Sequence, residues 1–214
     1  MRRIIKGNEP NSLTQHRKQR HSNYDNYADK DDLRVSTHTE QRGICCYCLG
    51  YIAPITGYMK IEHFKSQAEY PDFQLKYHNI LGACMGNERQ PKKVQHCDTF
   101  KGDGELSFNP ADRRRSIQNM IWYSSDGTIG SENHSLSEEL NSGLNLNIPK
   151  LINNRAAALT AFQAGLSKFK GQLKIETIRK MINDWNGDSH NDDLQPYCQV
   201  VVFWLQKKLN RLRA

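Results

Sequence analysis

The chain has 214 residues, and its 30 Lys and Arg against 23 Asp and Glu give a formal net charge of +7 at pH 7. This length favours one domain, or one small domain with a helical addition. The charge favours a polyanionic partner but is equally typical of an ordinary basic protein. No run approaches the roughly 18 apolar residues of a membrane span, and no secretory signal opens the chain. We therefore expect a cytoplasmic protein whose six cysteines bind metal more readily than they form disulfides.

Residues 1–42 predict an N-terminal helical segment. Asn11 or Ser12 is expected to cap a short basic helix that runs through Arg17. A second helix is expected over residues 31–41, closed by a glycine.

Residues 43–132 change character, because cysteines, aromatic and β-branched residues alternate among turn formers. The elements predicted here are strands near residues 51–52 and over 58–64, a short helix near 79–85, a basic loop over 86–104, and a hairpin with strands in 117–123 and 128–129. Residues 133–214 have helical periodicity throughout and predict a C-terminal helical bundle. The predicted fold class is therefore α+β, mainly α.

A zinc site is predicted from the spacing of four cysteines. Cys45 and Cys48 form a CxxC pair, whose tight turn can aim both thiolates at one ion. Cys84 and Cys97 are the candidates for the second pair, and His96 is an alternative to one of the thiolates. A redox CxxC usually follows a strand in a βαβ unit, and the sequence indicates no such unit.

An acid and a histidine stand side by side between these cysteine pairs, at the end of a predicted strand. His63 is a candidate general base, and Glu62 offers the hard oxygen ligand that suits Mg²⁺ or Mn²⁺. Asp98, directly after a cysteine, is the candidate for a second oxygen ligand. Lys65 and Lys101 are the predicted contacts to a nucleic-acid phosphate.

The order of these motifs resembles the HNH (ββα-metal) endonucleases over roughly residues 43–104. The resemblance rests on Cys45-x-x-Cys48, Glu62-His63, Asn79-Ile80-Leu81, Cys84 and His96-Cys97-Asp98-x-x-Lys101-Gly102. It implies a small zinc-supported ββα-metal core, a general base at His63, and catalytic metal ligands at Glu62 and Asp98. It also implies that Asn79 braces the loop that carries the base.

Two departures from the family pattern stand out. The last motif position is usually His or Asn, whereas here it is Asp98, with Asn87 as a weaker alternative ligand. A basic insertion also stretches the second cysteine pair, which leaves the fourth zinc ligand open.

Softer features extend the resemblance over most of the chain. They are Met1-Arg2-Arg3-Ile4-Ile5-Lys6-Gly7, the His-Cys-Asp-x-x-Lys-Gly-Asp run ending at Asp103, Leu144-Asn145-Leu146-Asn147, and Asn154-Arg155. These are similar to the nuclease subunits, called PtuB, of Septu and retron-associated anti-phage systems. That similarity implies an ABC-type ATPase subunit as a partner.

Two hypotheses follow. The first is a metal-dependent endonuclease that cleaves phosphodiester bonds, of DNA more readily than of RNA, although a tRNA target stays open. The second is a zinc-supported module that binds nucleic acid or recruits a partner without cleaving. Two further basic runs, at Arg113–Arg115 and over 207–213, are most simply solvated surfaces.

Overall fold

The structure is a computed structural model that describes residues 1–168 and 173–213. Its elements in chain order are α1 (Asn11–Arg17), α2 (Lys30–Gln41), β1 (Lys60–His63), β2 (Ile80–Ala83), α3 (Cys97–Lys101), β3 (Ile121–Tyr123), β4 (Ile129–Ser131), α4 (His134–Glu138), α5 (Pro149–Ser167), α6 (Ile175–Asn186) and α7 (Cys198–Arg211). A π-helical turn over Glu139–Gly143 continues α4. The predicted α+β, mainly helical class is confirmed. Residues 169–172 and 214 of the predicted C-terminal region lie outside the described residues.

The two predicted N-terminal helices are present. Helix α1 begins one residue after Pro10, so the predicted capping role of Asn11 or Ser12 is wrong. Helix α2 ends where Arg42 adopts a left-handed conformation with φ 56°, followed by Gly43 with φ 75°. This pair of left-handed residues stops the helix and turns the chain toward the cysteine-rich segment.

The segment predicted as a helix near residues 79–85 is instead the strand β2. It pairs with β1 in antiparallel register, and His63 lies opposite Ile80. All four β2 residues are buried, and a short run buried on both faces has no periodicity that separates strand from helix. A Cβ on Gly82 would lie 2.8 Å from the Met59 side chain and 3.2 Å from that of Gln41. The Gln41 carboxamide approaches this closely because it hydrogen-bonds both the N–H and the carbonyl of Gly82, each at 2.7 Å.

Two other predictions for this region need correction. The strand predicted at residues 51–52 is reduced to a single bridge between Ile44 and Tyr51, so it forms no hairpin with β1. The loop predicted over residues 86–104 contains the helix α3, which a short polar segment without apolar periodicity does not reveal.

The predicted hairpin is confirmed as β3 and β4, with Tyr123 opposite Ile129, but its first strand is shorter than expected because Ile117–Met120 form a 3-10 helix. Gly127 in its turn has φ +94°, and a Cβ there would lie 2.1 Å from the carbonyl oxygen of Ile152 in α5. The buried Arg155 side chain of α5 also donates to the Gly127 carbonyl and, at 2.8 Å, to that of Leu146. These contacts fix the hairpin against α5.

The main core draws on all three predicted segments. It contains Met1 and Ile4 from the first, Leu81 from the second, and Leu136 and Val200 from the third. The three segments therefore share one hydrophobic core.

The apolar residues of the predicted C-terminal helices pack against one another, as expected. Ile178 of α6 lies against Val201, Leu205 and Leu209 of α7 in a separate apolar cluster. Among the described residues, no helix combines the length and apolarity that crossing a membrane demands.

Candidate functional site

Four cysteine thiols converge next to the end of β2, which Cys84 directly follows. The sulfurs of Cys45, Cys48, Cys84 and Cys97 all lie within 4.8 Å of one another. The Cys45–Cys97 sulfur distance is 3.9 Å, and the Cys48–Cys84 distance is 3.7 Å. A tetrahedral ion with metal–sulfur bonds of about 2.3 Å requires sulfurs about 3.8 Å apart. The four cysteines could therefore hold a metal ion such as zinc.

The backbone around these cysteines is shaped to receive thiolates. Cys45 N–H donates to the Gly50 carbonyl at 2.8 Å, which closes the turn between the first two ligands. Gly50 N–H then points at the Cys48 sulfur at 3.4 Å, and Cys84 N–H points at the Cys45 sulfur at 3.3 Å. Burial opposes ionisation of Cys45, but hydrogen bonds from neighbouring thiols outweigh it and hold the pKa of Cys45 well below its usual range.

The fourth member of the group, left open by the sequence, is the thiol of Cys97. His96 is the alternative, and its Nδ1 lies 3.1 Å from the Cys97 sulfur and 3.8 Å from that of Cys84. This places the His96 ring beside the thiol group as a hydrogen-bonding neighbour, outside the set of four. Cys198 is buried elsewhere, in a small apolar cluster with Ile44 and Leu49.

His63 ends β1 with its ring held on two sides. Its Nε2 lies 2.9 Å from the Gln74 carbonyl oxygen, and the Tyr24 ring contacts it edge-on with centroids 4.5 Å apart. A carbonyl can only accept, so Nε2 carries the hydrogen and Nδ1 carries the lone pair of the neutral ring. Burial lowers the pKa of His63 below its usual value of 6.5. The ring is therefore neutral at pH 7.

Glu62 is buried beside two hydrogen-bond donors. The Tyr47 hydroxyl donates to its Oε1 at 2.6 Å, and the Lys101 ammonium lies 2.9 Å from the same oxygen. Asp98 lines the same cleft. Burial, followed by the neighbouring Asp98 carboxyl, raises the pKa of Glu62 well above its usual range. Two neighbouring carboxyls resist ionising together unless a cation compensates their charge.

Asp98 is the ionised member of this pair. Burial alone would raise the pKa of Asp98, but the hydrogen bond from Glu62 and the nearby Lys60 lower it. The Lys60 ammonium lies 3.2 Å from Asp98 Oδ2 and 3.2 Å from Glu88 Oε1. Lys60 and Glu88 are site residues that the sequence did not single out. Lys60 could have been found, because it stands two residues before Glu62 and so shares its face of the strand.

Asn79 ties the loop after His63 to the turn before β2. Its side-chain oxygen accepts from Lys65 N–H at 2.8 Å, and its amide donates to the Lys65 and Phe73 carbonyls at 3.0 and 3.2 Å. Its backbone carbonyl accepts from Phe64 N–H at 2.9 Å. The buried Asn79 side chain therefore helps to fix the loop that follows β1.

The remaining predicted site residues have different surroundings. The Lys65 ammonium is partly exposed over the Tyr70 ring, whereas Lys101 is only 1% exposed and faces Glu62. A phosphate contact by Lys101 would require its side chain to turn outward and stays a prediction. Asn87 does not line the cleft that contains Glu62 and Asp98; its amide donates to the Val94 carbonyl and its oxygen accepts from Lys150. The structure gives no support to its alternative role as a catalytic metal ligand.

The side chains around the acid–histidine pair line one open cleft of about 450 Å³. Glu62, His63, Glu88 and Asp98 all contribute to its wall. A larger cavity of about 660 Å³ lies between α5 and α6, but its lining has no ionisable side chain. Of these two cavities, only the smaller is lined by ionisable side chains.

A scan against protein-family models finds no match to this chain, and a search of curated proteins finds no significant similarity. The functional argument consequently rests on the geometry of the site.

Proposed function

We propose that the protein is a metal-dependent nuclease of the HNH (ββα-metal) type that cleaves phosphodiester bonds. One observation carries the proposal: the carboxyls of Glu62 and Asp98 line the same cleft as His63, whose ring is oriented by the Gln74 carbonyl. The order of elements supports it, because the two antiparallel strands β1 and β2 are followed by the short helix α3.

The carboxyl pair is suited to a divalent cation such as Mg²⁺ or Mn²⁺. Both are hard ions that prefer oxygen ligands, and Glu62 and Asp98 would hold one between β1 and α3. Bound there, the cation supplies charge neutralisation on the phosphate and on the leaving oxygen.

His63 serves as the general base. Its Nε2–H is engaged by the Gln74 carbonyl, so Nδ1 is the atom that takes a proton from the attacking water. Burial keeps the ring neutral, which is the form that a base requires. Asn79 acts as a positioning residue for the loop after His63, and the four-cysteine site is structural.

The biological setting rests on the family resemblance. In this proposal the protein is a cytoplasmic effector subunit of an anti-phage defence system and acts with an ABC-type ATPase. Lys65, at the partly exposed start of the loop after β1, contacts the nucleic-acid backbone. DNA is the expected substrate, with RNA as the second choice.

One observation favours the second hypothesis, a binding module without cleavage. Lys60 and Lys101 already pair with Asp98 and Glu62, so both carboxyls have cationic partners within the chain. If the protein does not cleave nucleic acid, these ion pairs would persist when Mg²⁺ or Mn²⁺ is added. Calorimetric titration of Mn²⁺ into the zinc-loaded protein distinguishes the two hypotheses. A nuclease centre binds Mn²⁺, and Asp98→Ala abolishes this binding, whereas a binding module shows no Mn²⁺ binding that depends on Asp98.

Cleavage itself is tested with plasmid DNA and with RNA, in Mg²⁺ or Mn²⁺, for the protein alone and with its ATPase. We expect His63→Ala to abolish nicking while the zinc content is unchanged. His78→Ala is the matched control, because this exposed histidine lies next to Asn79 and outside the cleft lining. Nicking by His63→Ala at the wild-type rate would refute the assignment.

A further inference from the structure

A second cleft, of about 310 Å³, lies where α7 meets the turn of the β3–β4 hairpin. Its lining combines aromatic rings, hydroxyl groups and cations, contributed by Phe203 and Trp204, by Ser124 and Ser125, and by Lys207, Lys208 and Arg211. This volume is at the lower end of the range of about 300–1,000 Å³ that is typical of small-ligand sites. The cleft shares no lining residue with the one that contains Glu62 and His63.

The sequence of α7 explains why these side chains face outward together. Val201, Leu205 and Leu209 form the buried face that packs against α6. The aromatic and cationic residues recur at helical spacing on a different face: Phe203, Trp204, Lys207, Lys208 and Arg211. One helix face therefore passes from aromatic to cationic toward the end of the helix.

The cations of this cleft have no acidic partner in the part of the chain that the structure describes. Within residues 1–168 and 173–213, no carboxylate lies within 4.0 Å of Lys207, Lys208 or Arg211. Asp126 stands in the neighbouring turn, but its carboxylate accepts from Thr128 N–H at 2.8 Å and does not line the cleft. The cleft is therefore electropositive.

Helix termini give a partial explanation for these charges. Cations in the last turn of a helix are stabilised by the negative end of its dipole. That effect accounts for basic residues near the end of α7, but it does not account for the serine hydroxyls of the facing turn or for the aromatic wall. The Lys208 ammonium lies 5.4 Å from the centre of the Trp204 ring, so ring and charge share one side of the cleft.

We propose that this cleft binds a nucleotide unit. Lys207, Lys208 and Arg211 hold the phosphate, for which the planar guanidinium of arginine is well suited. The base packs against the Trp204 ring, since aromatic side chains stack on any base. A free mononucleotide and one nucleotide of a nucleic-acid chain offer the same chemistry. The proposal does not depend on the nuclease assignment, because the two clefts are lined by different residues.

The test measures binding without cleavage, in buffer with no added divalent cation and no chelator, so that structural zinc is retained. AMP, adenosine, inorganic phosphate and a single-stranded 12-nucleotide DNA are titrated into the full-length protein and followed by calorimetry and tryptophan fluorescence. We expect AMP to bind more tightly than adenosine or phosphate, because only AMP engages both walls. We expect Lys207→Ala/Arg211→Ala to weaken this binding about tenfold or more, since each charge-assisted hydrogen bond is worth about a factor of ten.

Lys18→Ala/Arg20→Ala is the matched control, because it removes one exposed lysine and one exposed arginine at the end of α1. Loss of AMP binding confined to the cleft variant identifies a mononucleotide site. If AMP does not bind the wild type, and the cleft variant alone loses binding of the 12-mer, the cleft is a subsite for a nucleic-acid chain. Equal weakening by the two double variants, or no binding of AMP and 12-mer to the wild type, overturns the proposal. Circular dichroism checks that both variants are folded.

Discussion

The ammonium of Lys101 lies 2.9 Å from Oε1 of Glu62, and both side chains are at most 2% exposed. The same ammonium donates to the backbone carbonyl of His63 at 3.1 Å. A single ammonium thus holds the side chain of Glu62 and the backbone of His63, the two adjacent residues on which the proposed activity depends. Its place in α3 links the helix to the end of β1.

This arrangement predicts that Lys101→Met destabilises the fold. Removing the ammonium leaves the buried Glu62 carboxyl and the His63 carbonyl without this hydrogen-bond donor, and each unsatisfied buried group costs about 1–3 kcal/mol. We expect urea unfolding of the zinc-loaded protein to show this loss. Lys65→Met is the control, because Lys65 is partly exposed and its nearest acidic partner, Glu105, is 3.8 Å away. Equal stability of the two variants would contradict a structural role for the Lys101–Glu62 pair.

The four-cysteine site predicts one tightly bound zinc ion per chain. Cys97→Ser should lower the zinc content well below one and reduce the unfolding temperature, because binding energy at a structural zinc site contributes directly to folding. Cys46→Ala is the matched control: this buried cysteine lies between two of the ligands but outside the group of four. Zinc content measured by atomic emission decides the question. A full zinc complement in Cys97→Ser would exclude it as a ligand.

Asn79→Ala should separate positioning from metal binding. The substitution removes three side-chain hydrogen bonds to Lys65 and Phe73, each worth about 1 kcal/mol. We expect a loss of stability of about 1–3 kcal/mol and slower cleavage, with unchanged zinc content and unchanged Mn²⁺ binding. A loss of Mn²⁺ affinity as large as that of Asp98→Ala would instead indicate that Asn79 shapes the ligand set.

The cleavage rate should fall on the acid side only at a pH below the usual pKa of histidine. Burial lowers the pKa of His63 below 6.5, so the folded protein keeps the ring neutral where an unfolded chain is already half protonated. The histidine therefore supports folding and activity at and above pH 6.5, and both contributions are lost as the pH falls through its folded value. A cation on the neighbouring carboxyls shifts the pKa in the same direction. Cleavage rates between pH 5 and 8 test this, and a decline that begins above pH 7 would contradict it.

The sequence by itself identified most residues of the candidate site. The CxxC spacing indicated a metal-binding turn, and the adjacency of Glu62 and His63 at a strand end identified the titratable centre. Such features are local: a turn of fixed length or a pair of neighbouring residues brings its groups together wherever the chain goes. The helical periodicity after residue 133 was likewise sufficient for the elements there, and the mainly helical α+β class followed from it.

The tertiary structure decided which distant groups meet. The run Ile80–Ala83 is buried on both faces, so its pattern could not separate strand from helix, and only pairing with β1 made it a strand. Cys97 could be preferred to His96 as the fourth candidate ligand only once α3 had brought its thiol to the other three. Lys101 was expected to face a phosphate, but in the structure it is buried against Glu62. Such contacts depend on which buried surfaces pack together, and that is set by the whole core and not by the spacing of any one motif.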